Sequence, residues 1–149
     1  MIVEWKASFC CGVESIDEQH KALVGLIATL HRAMVEGRAK AEMAEIIENL
    51  VFYARYHFAW EEQWLDQHGF KGLAAHSADH ERLTREILLL QSRLQEGQQV
   101  AGMPLMRLLQ DWLLTHIEQR DKAAVASVFP SAQQTETDPQ PQAFEQVAD

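Results

Sequence analysis

The chain has 149 residues, 47% hydrophobic and 23% charged, with a formal net charge of -9, which is the size of about one domain with a closed core. The acidic balance argues against nucleic acid and anionic membrane surfaces as partners, since both require a basic face, and no stretch approaches the roughly 20 apolar residues of a membrane span. The start, Met1 to Lys6, lacks the apolar run of a signal peptide, and the only cysteines, Cys10 and Cys11, are adjacent and cannot build a disulfide framework, so a cytoplasmic, reducing location is expected.

In chain order, Trp5 and Phe9 belong to an extended segment expected to pack along the outside of whatever follows. The first helix is predicted from about Ile16 to Val35, with His20, Leu23, Ile27, Leu30 and Met34 on one stripe, Ser15 or Asp17 as its cap and Gly37 as its stop. A second runs from about Lys40 to Gln67, where Met43, Ile46, Leu50, Ala54, His57, Glu61 and Leu65 form a seam that Gly69 ends. A third runs from about Leu73 to Gln95 with His76, His80, Leu83, Ile87, Leu90 and Leu94, and stops at Gly97. The fourth opens at Pro104, tolerated in a first helical turn, and carries Leu105, Leu108, Trp112 and His116 on to about Val128. No segment reads as a strand. The fold class is therefore all-α, an up-down-up-down four-helix bundle over residues 1–129. Residues 130–149, rich in Gln, Pro, Thr and acids with no basic residue, read as a flexible tail.

Seven polar side chains lie on these inward stripes: His20, His57 with Glu61, His76 with His80, and His116 with Asp121. Spacings of four place two side chains on one helix face a turn apart. Unpartnered polar groups in a core cost roughly 1–3 kcal/mol each, so placing seven there requires something to satisfy them. With antiparallel neighbours, His20 early in the first helix, His57 and Glu61 late in the second, His76 and His80 early in the third, and His116 and Asp121 late in the fourth all meet at one end of the bundle. Imidazoles and carboxylates suit borderline and harder transition metals. Seven donors exceed what one ion takes from protein, and zinc, calcium and magnesium sites fit this set poorly. Two irons, with both carboxylates able to bridge, are the economical reading. His31, about 16 Å up its helix from His20, is too far to join them, and His68 beside Gly69 reads as a capping or solvated residue. The spacing of five between His116 and Asp121 is about 140° around an ideal helix, so either that turn is distorted or Asp121 reaches back. Asp17, Gln19, Glu62 and Glu81 are the candidates to accept the second ring N–H of a ligand histidine.

The strings SIDEQHKAL, HFAWEE, HSADH and WLLTHIEQRD, in this order, resemble the hemerythrin family in its bacterial form, and the similarity extends from about Trp5 to Val128. The chain departs from the common pattern at Leu65, where methionine is frequent, and at Phe70-Lys71, where an aromatic-proline pair is frequent. The resemblance implies an oxo- or hydroxo-bridged di-iron centre that binds dioxygen reversibly. In it His76, His80 and His116 hold one iron, His20 and His57 the other, and Glu61 and Asp121 bridge, leaving a position open at the two-histidine iron. It also implies a dry pocket walled by Phe58, Trp112, Leu113 and Ile117, with Trp60 and Trp64 either lining it or covering the bundle's end. Oxidases of the ferritin-like class use more carboxylates and fewer imidazoles, so this donor set favours holding oxygen over activating it. A non-enzymatic carrier for oxygen storage or transport is the leading expectation. The alternative is a sensor of oxygen, nitric oxide or redox state on the same site, and a peroxidase or oxidase ranks last.

Overall fold

In the computed structural model, residues 4–98 and 102–129 are described. Three uninterrupted helices, α1 Glu14–Val35, α2 Ala39–Gln67 and α3 Leu73–Gln95, are followed by a composite fourth rod. That rod consists of α4 Gly102–Leu108, π-helical turns Leu109–Leu114 and His116–Asp121, and α5 Lys122–Val128. The backbone stays right-handed helical across the joints at Leu108, Thr115 and Lys122, so the four pieces are continuous. Among the described residues there is no strand, and α2 packs against both α1 and α3 while α4 packs on α1 and α2, as the four-helix bundle requires. The expected tail, 130–149, lies outside the described residues.

The glycine stops work as their chemistry suggests. Gly37 and Gly69 have φ of +74° and Gly97 of +86°, the left-handed region that side chains with a Cβ avoid. At each, the next residue's N–H reaches back to close the helix end: Arg38 to the Ala33 carbonyl at 2.7 Å, Phe70 to Leu65 at 3.0 Å, Gln98 to Arg93 at 3.0 Å. This double-bonded ending satisfies carbonyls that would otherwise be orphaned and turns the chain within a few residues.

The beginning of α1 corrects an expectation. Neither Ser15 nor Asp17 caps it; the flanking residue is Val13, in extended conformation and without a side-chain cap bond. Asp17 lies inside the first turn and accepts the Cys11 and Gly12 N–H groups at 2.8 and 3.2 Å, which ties the incoming segment to the helix. The helix therefore starts two residues before Ile16. That incoming segment makes one 3-10 turn, Ala7–Phe9, and packs along the fourth rod, where the Ser8 hydroxyl donates to Glu118. Trp5 stays half-buried at the edge, but Phe9 inserts fully into the core rather than lying outside the bundle.

Buried apolar side chains form two clusters. The larger holds Leu23, Ile27, Leu30, Met43, Ile47, Leu50, Leu83, Ile87, Leu105 and Leu109 with their neighbours. The smaller gathers Val13, Ile16, Trp60, Trp64, Leu65, Val125 and Phe129. Trp60 and Trp64 thus cover the bundle's end. Along α1 and the fourth rod the polar centre falls between the two clusters: His20 lies between Ile16 and Leu23, and Asp121 between Ile117 and Val125. A buried polar layer is sandwiched by two apolar ones.

Candidate metal centre

All seven side chains converge, none more than 6% exposed. Their donor atoms form two overlapping groups, Glu61, His76, His80, His116 and Asp121, and His20, His57, Glu61 and Asp121, each with its atoms within 4.8 Å of one another. Glu61 and Asp121 belong to both. Glu61 is the hub: Oε1 lies 2.9 Å from His76 Nε2 and 3.3 Å from His80 Nε2, while Oε2 lies 3.2 Å from His20 Nε2 and 3.3 Å from His57 Nε2. Asp121 Oδ1 is 2.9 Å from both His76 and His116 Nε2, and Oδ2 is 3.1 Å from His20 Nε2.

The local backbone explains how a five-residue spacing places Asp121 beside His116. Over His116–Asp121 the helix is π-type, and i to i+5 closure brings the fifth residue over the first, where an α-helix would carry it away. Of the two options the sequence left open, the distorted turn is the one adopted.

Two features test whether a cation fits. Asp121 Oδ1 and Oδ2 and His57 Nε2 are buried and have no hydrogen-bond partner, although imidazole nitrogens lie within 3.1 Å of both Asp121 oxygens. Buried acceptors left in this state cost about 1–3 kcal/mol per group unless a cation takes them up. The charges agree. Burial pulls His20 and His76 down, but the adjacent carboxylates of Asp121 and Glu61 outweigh it and hold them up at about 9 and about 10. Burial likewise works against ionised Glu61 and Asp121, yet the surrounding imidazoles keep both well below the ordinary carboxylate range. His57 is lowered by burial. Two buried carboxylates are thus matched by protons on imidazoles, and a bound cation would take the place of those protons. Nitrogen and oxygen donors without a thiolate suit iron better than a structural zinc.

Nε2 faces the centre in His57 and His80, so Nδ1 carries the proton. His57 Nδ1 donates to Gln19 Oε1 at 2.6 Å and His80 Nδ1 donates to Glu62 Oε2 at 2.9 Å. Of the four acceptors proposed from sequence, Gln19 and Glu62 serve. Asp17 is occupied by backbone, and Glu81 is exposed at the rim of a cleft. Sequence reasoning missed Ser77, whose side chain hydrogen-bonds to Glu62; its one signal was a polar residue next to His76.

Phe58 stacks on His80 (centroids 4.0 Å apart, planes 5° apart) and leans toward His57 at 5.8 Å. Trp112 stacks on His116 (4.6 Å, 7°) and remains half-buried. Both aromatic rings expected in the pocket thus lie against the three-histidine group, while Leu113 and Ile117 are fully buried in the larger apolar cluster. His31 is outside the centre. His68 is the residue that ends α2, stacked on Trp64 and bonded through Nδ1 to the Trp64 carbonyl.

The model of the family described as "Hemerythrin HHE cation binding domain" matches residues 11–126. A bacteriohemerythrin of Pseudomonas paraeruginosa is 38% identical over 124 residues, covering 83% of this chain and 80% of that protein. A bacteriohemerythrin of Methylococcus capsulatus is 30% identical over 122 residues, covering 81% and 92%. A crystal structure of wild-type hemerythrin is similar with a TM-score of 0.77 at 28% identity, over 86% of this chain and 98% of that one. With buried imidazoles and carboxylates converging in a four-helix bundle, and that family's pattern spanning most of its length, the chain belongs to the hemerythrin family of HHE cation-binding domains.

Proposed function

We propose that the chain carries dioxygen at a paired-iron centre, storing or delivering it without chemical turnover. The observation that supports this reading is the asymmetric, carboxylate-sharing donor set: five donors in one group, four in the other, Glu61 and Asp121 common to both. On this reading His76, His80 and His116 would hold one iron and His20 and His57 the other, with Glu61 and Asp121 shared between them, and the side with fewer histidines would have room for a small ligand. A bound ferrous pair would supply the electrons that dioxygen borrows and returns. The chain does the rest. Glu61 and Asp121 provide buried negative charge that holds the two cations close, Gln19 and Glu62 fix the rings of His57 and His80, and the apolar layer containing Phe58, Leu113 and Ile117 keeps water away from the centre.

We place this function in a domain of residues 1–129, with 130–149 as an appended tail. No helix among the described residues is long and apolar enough to cross a membrane. Both cysteines are free, and we assign the protein to the cytoplasm. Metal analysis and one optical spectrum test the reading. Protein purified from iron-replete cells is expected to hold two irons per chain and, once reduced, to develop a charge-transfer band in air that disappears on deoxygenation. A metal-free or zinc-loaded protein overturns it. A change of oligomeric state or of tail protection with oxidation state, or with nitric oxide, would favour a sensor over a carrier.

A further inference from the structure

Among the five histidines that converge at the centre, the two whose Nδ1 partners are defined, His57 and His80, are served unequally. His57 donates to Gln19, a neutral carboxamide only 1% exposed. His80 donates to Glu62, whose side chain is 26% exposed and is also hydrogen-bonded to Ser77. Glu62 lines a cleft of about 480 Å³ between α2 and α3, flanked by Arg55 and Arg85 at one end and Ser77 and Glu81 at the other. A carboxylate accepting the N–H of a ligand imidazole makes that ring a stronger donor to its metal and favours the more highly charged ion, whereas a carboxamide orients the ring without adding charge.

Resting on the paired-iron reading above, we propose that Glu62 is a positioning residue that fixes His80 through its Nδ1–H and, by its charge, sets the reduction potential of the three-histidine side below that of the side served by Gln19. The chain thereby builds a redox difference into a centre whose bridging ligands are shared. It does so through one residue that the cleft leaves open to solvent.

The test is a spectroscopically followed reductive titration of the iron-loaded protein, with iron content measured first. Glu62→Gln keeps an acceptor oxygen and removes the charge. It is expected to retain both irons while the ferric preference of one of them falls about tenfold, equivalent to about 59 mV for one electron. Glu62→Asp, which keeps the charge, is expected to titrate close to wild type. Gln19→Glu is expected to shift the other iron in the opposite direction, and it carries the test should Glu62→Gln fail to fold. An unchanged potential in fully iron-loaded Glu62→Gln, equal shifts in Glu62→Gln and Glu62→Asp, or no shift in Gln19→Glu overturns the inference while leaving the paired-iron reading standing. Wild-type protein without iron fails that reading at the first step, before any potential is measured.

Discussion

Leu113 separates core packing from function when it is shortened to alanine. It is 1% exposed, packed in the larger apolar cluster on the π-helical turn that precedes His116. Truncating a leucine buried this completely costs about 2–5 kcal/mol, from lost transfer energy plus the cavity left behind, against a total of about 5–15 kcal/mol for a domain of this kind. Urea unfolding of iron-loaded protein should register that loss while iron content stays at the wild-type value, because Leu113 contributes no donor atom. If Leu113 also keeps water from the centre, the space opened admits solvent next to polar groups able to hold it, and irreversible oxidation in air accelerates. A barrier lowered by only about 1.4 kcal/mol makes that rate tenfold faster. The control is Leu109→Ala, equally buried one turn earlier, which should lose comparable stability without faster oxidation. Leu113→Ala that unfolds more easily yet oxidises at the wild-type rate would refute the reasoning, since the residue would then be core and nothing more.

Replacing His76 or His116 with alanine removes one donor from the five-membered group and should leave less than the full iron complement by elemental analysis, with the helical circular dichroism retained. Gly69→Ala forces a Cβ into left-handed backbone at φ +74° and should destabilise the iron-loaded fold by about 1–2 kcal/mol in denaturant titration, with the oxygen-dependent spectrum unchanged. Cys10 is exposed, whereas burial foremost, and Asp17 after it, push the Cys11 thiol far above its usual range. Mass spectrometry of native protein treated with an alkylating agent near neutral pH should therefore find Cys10 modified and Cys11 intact.

The features readable from sequence were those that helix geometry determines within a single element. His57 and Glu61 stand four apart, and their donor atoms come to 3.3 Å; Gly37, Gly69 and Gly97 turn the chain because only glycine accepts that backbone at little cost. Convergence of the four helices was also legible, because antiparallel neighbours with short connections fix which ends meet. What the pattern left open depends on contacts between elements. Whether Gln19 or Asp17 reaches His57 is decided by how α1 is rotated against α2, and whether Glu62 or Glu81 serves His80 by the approach of α2 to α3. The insertion of Phe9 depends on where the fourth rod offers Ser8 a partner in Glu118, 110 residues along the chain, which no local periodicity contains.

The most telling of these is the fourth helix, whose periodicity alone would misplace its last donor. In α geometry the residue five after His116 faces about 140° away, and the inward place beside His116 would fall to Gln119 or Arg120, both of which are exposed in the folded chain. The π-helical turn reverses that choice. It widens the helix so that Asp121 joins His116 at 2.9 Å and Gln119 and Arg120 face outward. Such turns are uncommon because the wider hydrogen bonding is less favourable, and they persist where surrounding structure enforces them, characteristically at functional sites. An inward Arg120 would add positive charge to a set of imidazoles already crowded around two carboxylates, whereas Asp121 supplies the second anion common to both donor groups. The local distortion and the doubling of the carboxylate are therefore one design feature seen at two scales, in the backbone and in the charge balance of the centre.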